Sequence, residues 1–235
     1  MSSLRADIIT RRTYCRQKED GGYETWSEVI DRVIQHQRWL WERAGGKPDE
    51  AELEELRQLF LSRRALTSGR TLWLGGTTVS KRREASQFSC SFLNIETVHD
   101  VVDALWLLLQ GCGVGFRPIY GTLSGFTRRI PNIRELRTVR TTSDGLENNS
   151  EIWEPSTKTW TLTVGDSAEA WAKSIGKLLA GKYPAETLLL DYREIRPAGA
   201  RLVGYGWLSQ GDEALARAYR AITGLLNRKA GTLLS

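Results

Sequence analysis

The stretch QFSCSFLNIETVHDVVDALWLLLQGCGVGFRP, residues 87–118, decides the fold class. Its first part, Gln87 to Ile95, reads as a strand of alternating residues, with Phe88, Cys90 and Phe92 on one face and Ser89 and Ser91 on the other. Val98 to Leu109 then carries apolar residues at helical spacing, Gln110 and Gly111 end that run, and Val114 to Pro118 reads as a second short apolar strand. Strands alternating with helices across Gly-rich turns are the signature of an α/β core.

On the N-terminal side the pattern is helical. Thr25-x-x-Glu28 is a capping box, and Trp26, Val29, Ile30, Val33, Ile34, Leu40 and Trp41 follow at helical spacing until Gly45, Gly46 and Pro48 stop them. A second helix is expected from Glu50 to Leu66, with acidic residues in its first turn and Arg63 and Arg64 in its last. Residues 1–68 therefore read as a helical N-terminal region and 69–235 as the α/β part. Within the latter, Thr71 to Leu74 reads as a short buried strand between the turns Ser68-Gly69 and Gly75-Gly76.

On the C-terminal side, about 120–165 reads as an irregular insertion rich in Thr, Asn, Arg and Ser, with short strands expected at Leu136 to Thr141 and Thr159 to Val164. Regular structure resumes with a helix from Ser167 to Leu179 and a strand from Thr187 to Asp191. A Gly-rich loop from Arg196 to Gly211 and a helix from Asp212 to Asn227 follow.

Composition bounds the function. The 235 residues carry 33 Lys+Arg against 28 Asp+Glu, a net charge of +5, and are 40% hydrophobic and 26% charged, the values of an ordinary globular protein. The longest apolar run, Ala104 to Leu109, is far below the ~18 residues of a membrane span, and MSSLRADIITRR has no apolar signal region. A soluble, cytoplasmic protein without membrane contact is expected. The three cysteines, Cys15, Cys90 and Cys112, are too few and too far apart for a disulfide framework or a C-x2-C zinc site, so no metal is expected. The basic clusters, Lys81 to Arg83 and Arg128 to Arg140, are not interleaved with aromatics, which argues against direct nucleic-acid binding.

Four segments could carry chemistry. Residues 68–77, SGRTLWLGGT, bring backbone N–H groups of two tight turns to one edge. Cys90 sits between Ser89 and Ser91, and on composition alone a lone cysteine there is a small buried hydrophobe. In Gln110-Gly-Cys-Gly-Val-Gly-Phe116 the alternating Gly111, Gly113 and Gly115 let the backbone pass closely by a ligand or a neighbouring strand. It is not a dinucleotide fingerprint, because it follows a helix and lacks the last glycine; Cys112 reads as packing. The fourth element is Asp166-x-x-Glu169, a capping box in its plainest reading, beside a loop carrying Arg196 and Arg201. A helix start next to two guanidiniums could equally seat a nucleotide, the carboxylate meeting a sugar hydroxyl and the arginines meeting phosphates.

In order, Arg12-Thr13-Tyr14, SGRTLWLGGT, SQFSCSF, DVVDALWLLLQGCGVGF, DSAEAW and DYREIRPAGARLVGYG resemble the adenosylcobalamin-dependent, monomeric-type (class II) ribonucleoside-triphosphate reductases. The resemblance implies a helical N-terminal region followed by the first part of a ten-stranded α/β barrel. It implies that Cys90 is one cysteine of the redox pair that reduces the ribose of a ribonucleoside triphosphate, with Ser89, Gly111 and Gly113 beside the substrate. It places a deoxynucleoside-triphosphate effector in about 165–211, at Asp166, Ser167, Arg201, Gly204 and Gly206. Trp207 and Leu208 stand where that family commonly has glycine and threonine, which implies a stiffer loop. The thiyl-forming cysteine, the second redox cysteine, the shuttle cysteines that meet a thioredoxin-like reductant and most adenosylcobalamin contacts are implied to lie downstream of Ser235, in a further half of the same enzyme. The alternative is a non-catalytic nucleotide-binding module.

Overall fold

The computed structural model describes residues 3–119, 131–137, 145–202 and 204–230. The chain divides into two compact units: residues 1–89 with 203–206, and residues 90–202 with 207–235.

The first unit is helical. Helix α1, Leu4–Thr13, is capped by Ser3, and α2, Trp26–Arg43, begins with the expected capping box, in which Thr25 and Glu28 satisfy each other's backbone N–H groups. Helix α3 spans Glu50–Leu61 and ends five residues before the expected Leu66, because the chain turns at Ser62 and Arg63 takes a left-handed φ of 57°. The core joins Val29, Ile30, Val33 and Ile34 of α2 to Leu53 and Phe60 of α3 and to Leu72. Leu40 and Trp41, read as part of that face, are instead exposed at the end of α2.

The expected strand at Thr71 to Leu74 is a helix. Ser68 accepts from the Thr71 N–H and starts α4, Gly69–Leu74, so the cap prevails over a short apolar run that fits either period. Helix α5, Thr78–Arg82, and a 3-10 turn, Glu84–Gln87, continue the helical character past Ser68.

The second unit opens with strand β1, Cys90–Ile95, helix α6, Val98–Leu109, and strand β2, Gly113–Pro118. A second capping box, Thr97 with Asp100, starts α6. Strands β1 and β2 are parallel, with Cys90 opposite Gly113 and Phe92 opposite Gly115. The remaining strands are β3, Asn132–Leu136; β4, Ser150–Glu154; β5, Thr159–Thr163; and β6, Thr187–Asp191. They form one sheet in the order β3-β6-β5-β4, parallel except for the edge strand β4. The stretch read as an irregular insertion therefore supplies three strands of this sheet. The strand expected at Leu136 to Thr141 lies earlier, at β3, and residues 138–141 fall outside the described ones.

Helix α7, Ala168–Ala180, and helix α8, Glu213–Lys229, bring Ile175, Leu178, Leu215 and Tyr219 into one core with Trp160, Leu162, Leu188 and Leu190 of the sheet. The Gly-rich loop contains a short hairpin, β7, Arg201–Leu202, with β8, Trp207–Leu208.

Helices α6 and α7 pack on each other, and the contact depends on Gly176. A β-carbon there would lie 2.3 Å from Cγ2 of Val102. Gly176→Ala is expected to destabilise the chain: overpacking costs about 1–3 kcal/mol, against a helix-propensity gain of about 1 kcal/mol. Adding Val102→Ala should recover the loss in urea unfolding. An unchanged midpoint for the single variant would show that the helices separate freely.

Candidate functional site

The β1–β2 pair places the sequence candidates of the central motif side by side. In a parallel pair the residues that face each other share a side of the sheet, so Cys90, Phe92, Asn94, Gly113, Gly115 and Arg117 lie together. That side is exposed at all six positions. Cys90 is thus an exposed thiol, and the reading of it as a small buried hydrophobe is corrected. The opposite side, with Ser91, Leu93 and Ile95, is the more buried one.

The surroundings of the thiol follow from the glycines. Gly113, directly across from Cys90, presents no side chain, and Gly111 turns the chain into β2 with a φ of 85°. Gly115 has room for no β-carbon, because Cδ2 of Phe92 would lie 2.9 Å from it. The phenyl ring thus lies over Gly115 and leaves the ground beside Cys90 open. Ser89 is the exposed residue immediately before β1, and Cys112 is buried, as its packing role requires.

A second cluster lies at the carboxyl ends of β5 and β6, where α/β sheets bind ligands. Ser167, not Asp166, caps α7, accepting from the Ala170 N–H while donating to the Glu147 carbonyl at 2.7 Å. The capping-box reading of Asp166 and Glu169 is corrected accordingly: Glu169 accepts from the Trp106 indole at 3.0 Å. The Asp166 carboxylate, nearly buried, pairs with Nε of Arg196 at 2.8 Å. Gly165 makes the approach of residues 147–149 possible, since a β-carbon would stand 2.5 Å from the Glu147 carbonyl oxygen, and its N–H donates to Asn149. Arg201 is exposed at the start of the hairpin, and Gly206 takes a φ of 76° at its tip.

Sequence reasoning missed two arrangements. Asp191, at the end of β6 and only 1% exposed, holds the Arg193 guanidinium and accepts from the Thr163 hydroxyl. The D-x-R spacing was its only signal. In the first unit Glu24 binds Arg32 through both carboxylate oxygens, and Arg16 lies beside them. No local spacing announces that network, because its members come from three separate segments.

A crystal structure of a B12-dependent (class II) ribonucleotide reductase superposes with a TM-score of 0.77 over 97% of this chain and 38% of that one, at 23% identity. The fold is that of part of a class II ribonucleotide reductase. A family model described as the ribonucleotide reductase alpha domain matches residues 4–77. The adenosylcobalamin-dependent ribonucleoside-triphosphate reductases of Lactobacillus gasseri and Lactobacillus leichmannii are 24% and 27% identical over 97% of this chain. A protein of Mycobacterium phage D29, named as a putative reductase of the same type, is 25% identical over 95% of it. The chain is thus similar along nearly its whole length to the N-terminal portion of these reductases. It spans only 37% of the length of the Lactobacillus gasseri relative and 33% of the phage one.

Proposed function

We propose that this chain is the N-terminal portion of an adenosylcobalamin-dependent ribonucleotide reductase that converts ribonucleoside triphosphates to 2′-deoxyribonucleoside triphosphates in the cytoplasm. The observation that carries the proposal is the exposed Cys90 thiol across from Gly113, in a chain of which 97% aligns with a named reductase. In this reading Cys90 and a second cysteine, supplied by the remaining part of the enzyme, deliver two electrons and two protons to the substrate. The 2′ carbon–oxygen bond breaks, a carbon–hydrogen bond replaces it, the hydroxyl leaves as water, and the two sulfurs close to a disulfide. A thioredoxin-like dithiol then reopens that disulfide. Ser89, Gly111 and Gly113 line the approach to the ribose.

The effector of the same enzyme, a deoxynucleoside triphosphate, is assigned to the Asp166 cluster. There the carboxylate would take a sugar hydroxyl and Arg196 and Arg201 the phosphates. The cleft beside α1, lined by Arg11, Cys15, Tyr23 and Trp26, holds about 330 Å³, the size of a small-ligand site and too small for a corrin. Most of the adenosylcobalamin contacts are assigned to the rest of the enzyme. A non-catalytic nucleotide-binding module is the weaker reading, since the relatives are named as reductases.

The test is reconstitution. The chain is mixed with a polypeptide matching the remaining portion of its relatives, adenosylcobalamin, dithiothreitol and each ribonucleoside triphosphate. Deoxynucleotide should form with both polypeptides present and with neither alone. A stable complex that binds substrate and makes no product would overturn the proposal.

A further inference from the structure

We propose that Arg16 is a latch that seats the tip of the β7–β8 hairpin on the turn after α4, so that order at one is transmitted to the other. The guanidinium donates to two carbonyls far apart in sequence, that of Gly204 at 2.6 Å and that of Trp73 at 3.3 Å. All three residues belong to the helical unit, although the strands of the hairpin, at Arg201–Leu202 and Trp207–Leu208, belong to the other. The tip is also pressed against the unit's core: a β-carbon on Gly204 would stand 2.2 Å from Cγ2 of the buried Val79.

Arg16 is itself held. Its N–H donates to Glu24 at 3.0 Å, and its carbonyl accepts from the Glu24 N–H at 2.8 Å. Glu24 is shared with Arg32, whose guanidinium donates to the carbonyls of Leu72 at 3.1 Å and Gly75 at 2.5 Å. The carboxylate pairs with the Arg32 guanidinium, and its charge also acts on Arg16 through space. Carbonyl dipoles at the C-terminal end of α4 and at Gly204 compensate the two cations further. Burial and the neighbouring Arg32 both press on the charge of Arg16, lowering its pKa. Withdrawing the Gly204 carbonyl removes one of the acceptors that compensate a desolvated guanidinium, so an unseated tip loosens the hold on Trp73 and on the turn beyond it. That turn is tight. Gly75 and Gly76 lie against the Thr71 and Arg32 carbonyls with no room for a β-carbon, and the amides of Gly75 and Thr77 bond back to Thr71 and Leu74.

The regulatory use of the latch rests on the assignment of the hairpin to the effector. A nucleotide that orders the tip would, through Arg16, also order the turn at 75–77. Arg16 is a positioning residue in this scheme and touches neither substrate nor effector.

Amide exchange of the full chain, read in segments 72–77, 187–191 and 204–208, tests both parts. Arg16→Ala should speed exchange at 204–208 and 72–77 by about tenfold or more while leaving 187–191 unchanged, as expected for local opening. Arg16→Lys, a point charge without the guanidinium fork, should fall between. Gly204→Ala in a Val79→Ala background, which removes the clash of the new β-carbon with the core, should speed exchange at 72–77 when Arg16 is present and add nothing in the Arg16→Ala background. If Arg16→Ala loosens 187–191 as well, the Lys variant and the Gly204→Ala comparison decide. Unchanged exchange at both segments in the Arg16 variants, or additive effects of the two substitutions, overturns the latch. Each of dATP, dGTP, dTTP and dCTP is then added. One of them should slow exchange at 204–208 and 72–77 in the unaltered chain, and only at 204–208 in Arg16→Ala. If none slows 204–208 while the Arg16 effects remain, the effector assignment fails and the latch stands.

Discussion

Cys90→Ser is expected to lower dithiol-dependent turnover of the reconstituted enzyme by about a hundredfold or more, with substrate binding retained. Serine has nearly the shape of cysteine and cannot close a disulfide, so the two-electron step is lost while the glycine floor and the Phe92 ring remain. Because position 90 is exposed, stability should change by no more than about 0.5 kcal/mol, which separates lost chemistry from lost folding. Cys112→Ala gives the contrast. Cys112 is 4% exposed between Gly111 and Gly113, and its replacement should cost some stability and leave appreciable activity. The three thiols can also be ranked directly, since Cys90 is exposed, Cys15 intermediate and Cys112 buried. Brief alkylation should mark Cys90 first and abolish turnover in proportion. Full multiple turnover in Cys90→Ser would make the thiol a bystander and remove the centre of the proposed function.

What the sequence made legible was local. The capping box at Thr25 and Glu28, the helix Val98–Leu109 and the strand Thr187–Asp191 each carry their own start, period and stop within a few residues, and each stands where it was expected. Four-residue apolar runs are another matter. Thr71 to Leu74 suits a strand or a single helical turn, and the deciding group, the Ser68 hydroxyl, lies outside the run. Asp166 failed for a related reason. Two adjacent residues, Asp166 and Ser167, can both cap a helix, and the choice was made by Arg196, thirty positions away, which takes the carboxylate. For Cys90 the alternation was read correctly but not its sense. Period two says which residues share a face and not which face is covered. The network of Glu24, Arg32 and Arg16 was invisible because, beside the Glu24 carboxylate, its acceptors are backbone carbonyls, which every residue carries.

The exposed sheet faces lead to the second large effect. Parallel strands occur in sheets covered on both faces, and a pair of strands by itself is marginal in water. Among the described residues β1 and β2 pair only with each other, and each face carries an uncovered phenyl ring: Phe92, 67% exposed, beside Cys90, and Phe116, 63% exposed, on the other side. A polypeptide that supplies neighbouring strands would cover both. Burying two phenylalanines stabilises by about 3–6 kcal/mol, taking roughly 1.5–3 kcal/mol for each. For a chain of this size about 1 kcal/mol moves the melting temperature by roughly 2–4 °C, so saturation with the completing polypeptide should raise it by about 10 °C. Replacing both rings by serine separates this cause from general association. The variant alone should melt within a few degrees of the unaltered chain, because the rings are already in water, and most of the rise on complex formation should vanish. A full rise in the double variant would place the stabilising contact elsewhere on the chain. No rise in the unaltered chain, under conditions where the two polypeptides co-elute, would mean that β1 and β2 are not where the remaining part of the reductase joins.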